Sequence, residues 1–207
     1  PPTGPVFIAL PQNIMNENID FAYEANPLLS FSRRGPDQES IERAADLLAR
    51  AKKPVVMLGP GVAKHQAIPE VVELVELIGA PAFIPGMSSD TLFPTTHRQF
   101  MGASTGSPDT RKLTEGADVT VAIGTQPTAA KNLIQIDSNP WELGKNTPVA
   151  AGIEGDIKLS VAELNITLKK KMSLADRRAA KSRAENIALE KETLKANWLK
   201  RAEKEME

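Results

Sequence analysis

An α/β fold, with a parallel sheet covered by helices on both faces, is what this sequence predicts, and three observations carry the prediction. Short apolar runs at 55–58, 81–84, 118–123, 133–136 and 149–153 are interleaved with segments of helical periodicity. The runs are almost continuously apolar instead of alternating, which is the pattern of strands buried on both faces. Gly, Pro, Asn or Asp follows nearly every run and ends it sharply.

The elements follow in order. Residues 5–10 read as an apolar strand between Pro5 and Pro11, and a strand so close to the first residue reads as the last strand of an upstream unit. Residues 12–37 mix Asn, Pro, Gly and Arg without a period and read as a linker with a few short turns. Asp37 is placed to N-cap a helix over 38–51, with Ile41, Ala44, Ala45, Leu47, Leu48 and Ala51 at helical spacing. Lys52-Lys53-Pro54 ends that helix, the strand 55–58 follows, and Gly59-Pro60-Gly61 turns the chain. A second amphipathic helix spans 68–78, with Gly79 as its left-handed C-cap. The strand 81–84 leaves through a loop at 85–90. Residues 91–108 read as irregular and 109–114 as a short helix. Gly124-Thr125 closes the strand 118–123. Asp137 closes the strand 133–136, and Asn139-Pro140 stops it. Gly155-Asp156 caps a helix over 157–168. The tail, 173–207, has high helix propensity but only a thin apolar stripe of Leu174, Ile187, Leu194, Trp198, Leu199 and Ala202. Such a helix draws its stability from docking on the core, a second copy or a downstream domain.

Bulk properties narrow the class. A chain of 207 residues suits one domain with appendages, and a unit of that size buries roughly 70% of its unfolded surface without staples. Lys plus Arg number 25 against 26 Asp plus Glu, a net charge of −1. That balance gives no electrostatic reason to expect nucleic acid or an anionic membrane as a partner. Cysteine is absent, excluding disulfides and thiolate chemistry. No run is long enough to span a bilayer, and the N-terminus lacks the charged and apolar regions of a signal peptide. A cytoplasmic protein is the expectation.

Candidate chemistry is sparse. Gly59 and Gly61 follow a strand and precede a helix, the context of a phosphate cradle. Ala63 breaks the dinucleotide fingerprint and Pro60 lacks an N–H, so a tight packing turn is the favoured reading. Gly124 marks a second strand exit. Asp137 is positioned either to accept ribose hydroxyls or to cap the Asn-Pro turn, and the sequence leaves both open. His65 sits in a polar helix start and reads as solvated. His97 is expected in a long loop at the ligand-binding edge of the sheet, where a histidine orders a loop or transfers protons. Ser104, Thr105 and Ser107 have no paired base. Two histidines are too few for a histidine-based metal site unless carboxylates help, the absence of cysteine excludes Cys-based ones, and no self-sufficient active site is visible.

The ordered series of motifs is more specific. Residues Gly4 to Pro11, Ala51 to Gly61, Phe93-Pro94-Thr95-Thr96-His97 with Phe100-Met101-Gly102, Ile136-Asp137 to Pro140, Glu142 to Asn146, and Gly155-Asp156 stand in sequence. Together they resemble the central domain of thiamine diphosphate-dependent enzymes of the acetolactate synthase, pyruvate oxidase and benzoylformate decarboxylase group. The resemblance covers residues 1 to about 170 and implies a Rossmann-like sheet of the DHS-like NAD/FAD-binding kind. It divides the chain into 1–36, a remnant strand of an upstream pyrimidine-binding domain and a linker; 37–170, the central domain; and 171–207, a connecting helix.

In that family the cofactor lies between N- and C-terminal domains, usually of different subunits. The first supplies an activating glutamate and the last a Gly-Asp-Gly to Asn-Asn motif for magnesium and diphosphate. Gly155-Asp156-Ile157 is not that motif. The resemblance therefore implies an architectural domain, inactive alone. Its partners would be the thiamine diphosphate-binding domains of a homo-oligomeric 2-oxo acid decarboxylase or carboligase. It also implies that His97 reaches the substrate end of the thiamine site, so that His97→Ala in the full-length enzyme would cut turnover with folding intact. Gln126 stands where flavin-binding relatives have arginine, and the connection from Gln126 to Leu133 is short, which argues against FAD. The rival readings are an autonomous FAD- or NAD-binding module, with Gly59, Gly61, Gly124 and Asp137 as its cofactor contacts, and an interaction protein that pairs through its C-terminal helix.

Overall fold

The computed structural model describes residues 7–18, 20, 33–86, 88, 90–104, 115–127 and 130–206. The chain divides at Arg33/Arg34 into two units. In the first, Gln12–Met15 forms a single helical turn, α1. Residues 7–10 form no strand, against the expectation for 5–10, and Phe7, Ile8 and Leu10 are exposed. An extended apolar segment becomes a strand only where a neighbour takes its backbone groups, and none does so among the described residues. Residues 5 and 6 lie outside the described residues.

The second unit is a six-stranded, all-parallel sheet in the order β3-β2-β1-β4-β5-β6. Its strands are β1 Pro54–Leu58, β2 Ala82–Pro85, β3 Phe100–Ser104, β4 Val119–Ile123, β5 Leu133–Asp137 and β6 Val149–Glu154. Every residue of β4 is buried, as the unbroken apolar runs foretold. β3 falls within the stretch expected to be irregular. It is an edge strand, mostly half-buried, with Gly102 at φ +86° and a register shift against β2, so neither alternation nor an apolar run announced it. The expected helix at 109–114 lies outside the described residues.

The helices are α2 Gln38–Ala49, α3 Gly61–Lys64, α4 Ile68–Ile78, α5 Ile157–Lys171 and α6 Leu174–Met206. Asp37 caps α2 by accepting from the Ser40 N–H at 2.9 Å, and its face of Ile41, Ala44, Ala45 and Leu48 is fully inside. α4 has the bounds its periodicity predicts, closed by Gly79 at φ +61°. α5 packs against both α2 and α4. It continues to Lys171, whose ammonium lies 2.6 Å from Glu42 and 2.7 Å from Asp46 of α2. Asn165 of α5 donates to the Glu70 carbonyl of α4 at 2.9 Å.

α6 begins with a reciprocal cap: the Asp176 N–H donates to Ser173 Oγ, and the Ser173 N–H to Asp176 Oδ2. It docks on the core through buried Ala180 and Ala184. Arg183 donates to the Ile78 carbonyl at 2.7 Å, and Lys191 donates to the carbonyls of Thr95 and His97. Beyond Lys191 nearly every described residue is exposed, Trp198 and Leu199 included. No described helix is long and apolar enough to cross a membrane.

Candidate functional site

In an open parallel sheet, ligands gather outside the carboxyl ends of the strands, above all where strand order reverses. Here that point lies between β1 and β4, and Gly59, Gly61, Gly124 and Asp137 all sit at this edge. Gly59 donates its N–H to the Ile123 carbonyl and Gly124 donates to the Ile136 carbonyl, each at 2.9 Å, continuing the ladders past the strand ends. A Cβ on Gly59 would lie 2.2 Å from the Gly124 oxygen, and one on Gly61 would lie 2.8 Å from the Gly124 Cα. The three glycines therefore meet backbone to backbone.

Asp137 Oδ1 accepts from the Asn139 N–H at 2.9 Å, an Asx turn that launches the short 3₁₀ turn Pro140–Glu142. Burial pushes the pKa of Asp137 above its ordinary value, and Glu142 adds to the rise. The sign follows: the folded state binds this proton at higher pH than the unfolded chain does. Stability from this group thus falls as pH rises from the ordinary carboxylate value to the raised one, and the penalty is fully present at neutrality. Asp137→Asn keeps the acceptor and removes the charge. It is expected to raise Tm at pH 7 by about 1–3 °C and to flatten the pH–Tm curve on the acid side. Thermal melts from pH 3 to 7 check this, and an unchanged slope would refute it.

A polar knot beside Asp137 escaped the sequence reading. Gln126 donates its amide to the Glu142 carbonyl and, at 2.8 Å, to Glu142 Oε2. Buried Gln135 of β5 donates to the same carbonyl and accepts from the Gly144 N–H, both at 2.9 Å. A hydrogen bond from Lys145 holds the pKa of Glu142 below its ordinary value, with Gln126 helping. The only advance sign was a glutamine inside a buried strand. Trp141 stands on this turn, 80% exposed.

His65 corrects its expectation. It is not solvated: Nδ1 lies 3.0 Å from Asp156 Oδ2 and Nε2 lies 3.1 Å from Ser138 Oγ. The four-residue helix α3 turns the ring inward, and Gln66 at φ +54° then redirects the chain into α4. Asp156 also caps α5 through the Leu159 N–H at 3.0 Å.

His97 is corrected in position. It precedes β3, whose Phe100 registers with Ala82 at the start of β2, so it lies at the amino edge of the sheet, opposite Asp137. Its side chain is 13% exposed. Nε2 is 3.2 Å from Glu76 Oε1, Nδ1 accepts from the Gln99 N–H, and the ring meets Phe93 edge-on at 5.1 Å. The sequence-derived candidates thus fall on two opposite edges. Among the described residues, no three His, Asp or Glu side chains gather as a metal site.

Comparisons with known proteins agree with the geometry. A family model described as "Thiamine pyrophosphate enzyme, central domain" matches residues 41–164. Sulfoacetaldehyde acetyltransferase of Rhodobacter capsulatus is 33% identical over 171 residues, covering 74% of this chain and 28% of that protein. Acetolactate synthase of Mycobacterium bovis is 28% identical over 183 residues, covering 80% and 29%. Among solved structures, benzoylformate decarboxylase from Polynucleobacter necessarius superposes with a TM-score of 0.57 at 25% identity, covering 73% of this chain and 30% of that one. The chain thus spans under a third of the length of these relatives. With the match running from α2 through the sheet into α5, the chain belongs to the thiamine pyrophosphate enzyme central-domain family.

Proposed function

We propose that this chain is the central, non-catalytic domain of a thiamine diphosphate- and magnesium-requiring 2-oxo acid decarboxylase or carboligase. In this reading it packs the catalytic domains and supports a homo-oligomer. The observation that carries the proposal is the family match across the sheet, together with the share of each relative that the chain spans. Two exposed apolar surfaces favour a packing role: Phe7, Ile8 and Leu10 in the first unit, and Trp198 and Leu199 on α6. The domain division proposed is 1–36 as the end of a preceding domain and linker, 37–170 as the central domain, and 171–207 as the connecting helix.

The carboxyl edge of this sheet does not fit a pyrophosphate-bearing cofactor. Gly59, Gly61 and Gly124 fill one another's space, and the Gln126 amide is bound to Glu142. We therefore assign thiamine diphosphate and magnesium to the neighbouring domains and no FAD or NAD to this one. Purified chain supplied with thiamine diphosphate, magnesium and pyruvate or benzoylformate is expected to release no carbon dioxide above the blank, and FAD or NAD to leave Tm unshifted. Decarboxylation by the chain alone would sink the proposal, and dinucleotide stabilisation would favour the autonomous-module reading.

For His97, the loop-ordering role suits the geometry better than proton transfer, since both ring nitrogens are engaged within the fold. Glu76 is largely exposed, so its pairing adds little. The Gln99 bond and the Phe93 contact together are worth about 1–2 kcal/mol. His97→Ala is therefore expected to lower Tm by about 3–6 °C. In a full-length enzyme it should leave the shape of the pH–rate profile intact. Loss of a limb near neutrality at unchanged Tm would instead restore the proton-transfer role.

A further inference from the structure

Ser138, His65 and Asp156 come from three separate places: the exit of β5, the end of α3 and the cap of α5. They meet in one line. Ser138 Oγ is 3.1 Å from His65 Nε2, and His65 Nδ1 is 3.0 Å from Asp156 Oδ2. Asp156 is 8% exposed and accepts at its other oxygen from the Leu159 N–H, so its carboxylate cannot swing away. With that carboxylate accepting, Nδ1 carries the ring proton. Nε2 is then the basic nitrogen, facing a hydroxyl. A nucleophile within hydrogen-bond reach of a base, itself oriented by a third group, is the arrangement that activates serine. Two further features support it. Gln66, next to the histidine, is held in a left-handed conformation uncommon outside glycine. Ser138 is only half-buried, at the carboxyl edge of the sheet.

The arrangement lacks one component of a turnover catalyst. The Ser138 and Asn139 N–H groups are both directed at the Asp137 carboxylate, and the Gly155 N–H donates to the Asp137 carbonyl, which leaves none of these three amides to bind an oxyanion. A missing oxyanion donor lowers turnover by about 10²–10³-fold, without preventing a first attack on a reactive electrophile.

We infer that Ser138 is an activated nucleophile, a stoichiometric acylation site for small activated esters, with His65 as its general base. Ser138 Oγ forms a bond to the acyl carbon while His65 Nε2 takes the hydroxyl proton. The bond from the acyl carbon to the aryl oxygen breaks, and the aryl oxide leaves with that proton. Asp156 acts as a positioning residue, holding the ring.

The 207-residue chain treated with p-nitrophenyl acetate is expected to give a burst of about one equivalent of nitrophenolate, followed by slow release. Peptide mass spectrometry should place the acetyl group on Ser138, within the tryptic fragment 132–145. Ser138→Ala should abolish the burst, and His65→Gln should slow it by at least ~100-fold, with both variants retaining the wild-type circular dichroism spectrum. No burst from the folded wild-type chain, a burst that survives Ser138→Ala, or acetyl groups confined to lysines would overturn the inference.

Discussion

Gly124→Ala is expected to lower the melting temperature by about 5–12 °C, a loss of about 2–4 kcal/mol. Gly124 has φ +61°, so an alanine there begins with the roughly 1 kcal/mol or more that a side chain incurs in the left-handed region. The larger share is steric. The added Cβ would lie 2.6 Å from Gly61 Cα and 2.9 Å from Gly61 N. Both are backbone atoms of a turn anchored by the Val62 N–H to the Gly59 carbonyl, so no rotamer change relieves the contact. Ile157 Cδ1, at 3.1 Å, can rotate aside, but the turn cannot. Thermal unfolding followed by circular dichroism tests this. A melt within about 1 °C of wild type would mean that α3 slides freely, and that the backbone-to-backbone packing contributes nothing.

Gly79→Ala should have an effect of similar size but a different outcome. Here the Cβ would lie 2.0 Å from the Ala180 carbonyl oxygen and 2.7 Å from its carbon. Either α4 moves, disturbing Val71, Leu74, Val75 and Ile78 in the core, or α6 lifts away. Lifting α6 forfeits the burial of Ala180 and Ala184 and a few hydrogen bonds, among them Arg183 to Ile78 and Lys191 to Thr95 and His97. Those bonds are worth about 1 kcal/mol each. Opening the core around α4 would leave cavities worth about 2–5 kcal/mol per large side chain. Release of α6 is the cheaper route. Trypsin should therefore cut the Lys- and Arg-rich 174–206 helix in the variant, while the sheet and α2, α4 and α5 resist digestion. Wild-type protection of α6 in a variant of lowered Tm would show that α4 had moved instead.

How far the sequence reached depended on how local each signal was. α4 was legible to its bounds because its closing signal, Gly79, lies beside the periodic residues. Asp37 and Asp156 were legible as caps for the same reason. β3 was not, since an edge strand needs no apolar face and Gly102 interrupts its pattern. His97 was assigned to the wrong edge because a crossover between parallel strands must traverse the sheet, and nothing in residues 86–99 marks where that passage ends. The His65 contacts reach 73 and 91 residues along the chain, beyond any periodicity argument. Only a single polar residue inside a buried run hinted at the knot around Glu142.

The half-free C-terminal helix has a mechanical consequence. Its 33 residues make a rod about 50 Å long, of which the stretch past Lys191 overhangs by about 22 Å. A rod clamped at one end fixes both the distance and the azimuth of anything it holds at the other. One residue inserted into the overhang would turn that load by about 100°, whereas seven would return it nearly to its starting bearing, about 10 Å further along. Spacer insertions of graded length would therefore trace a periodic response rather than a steady decline.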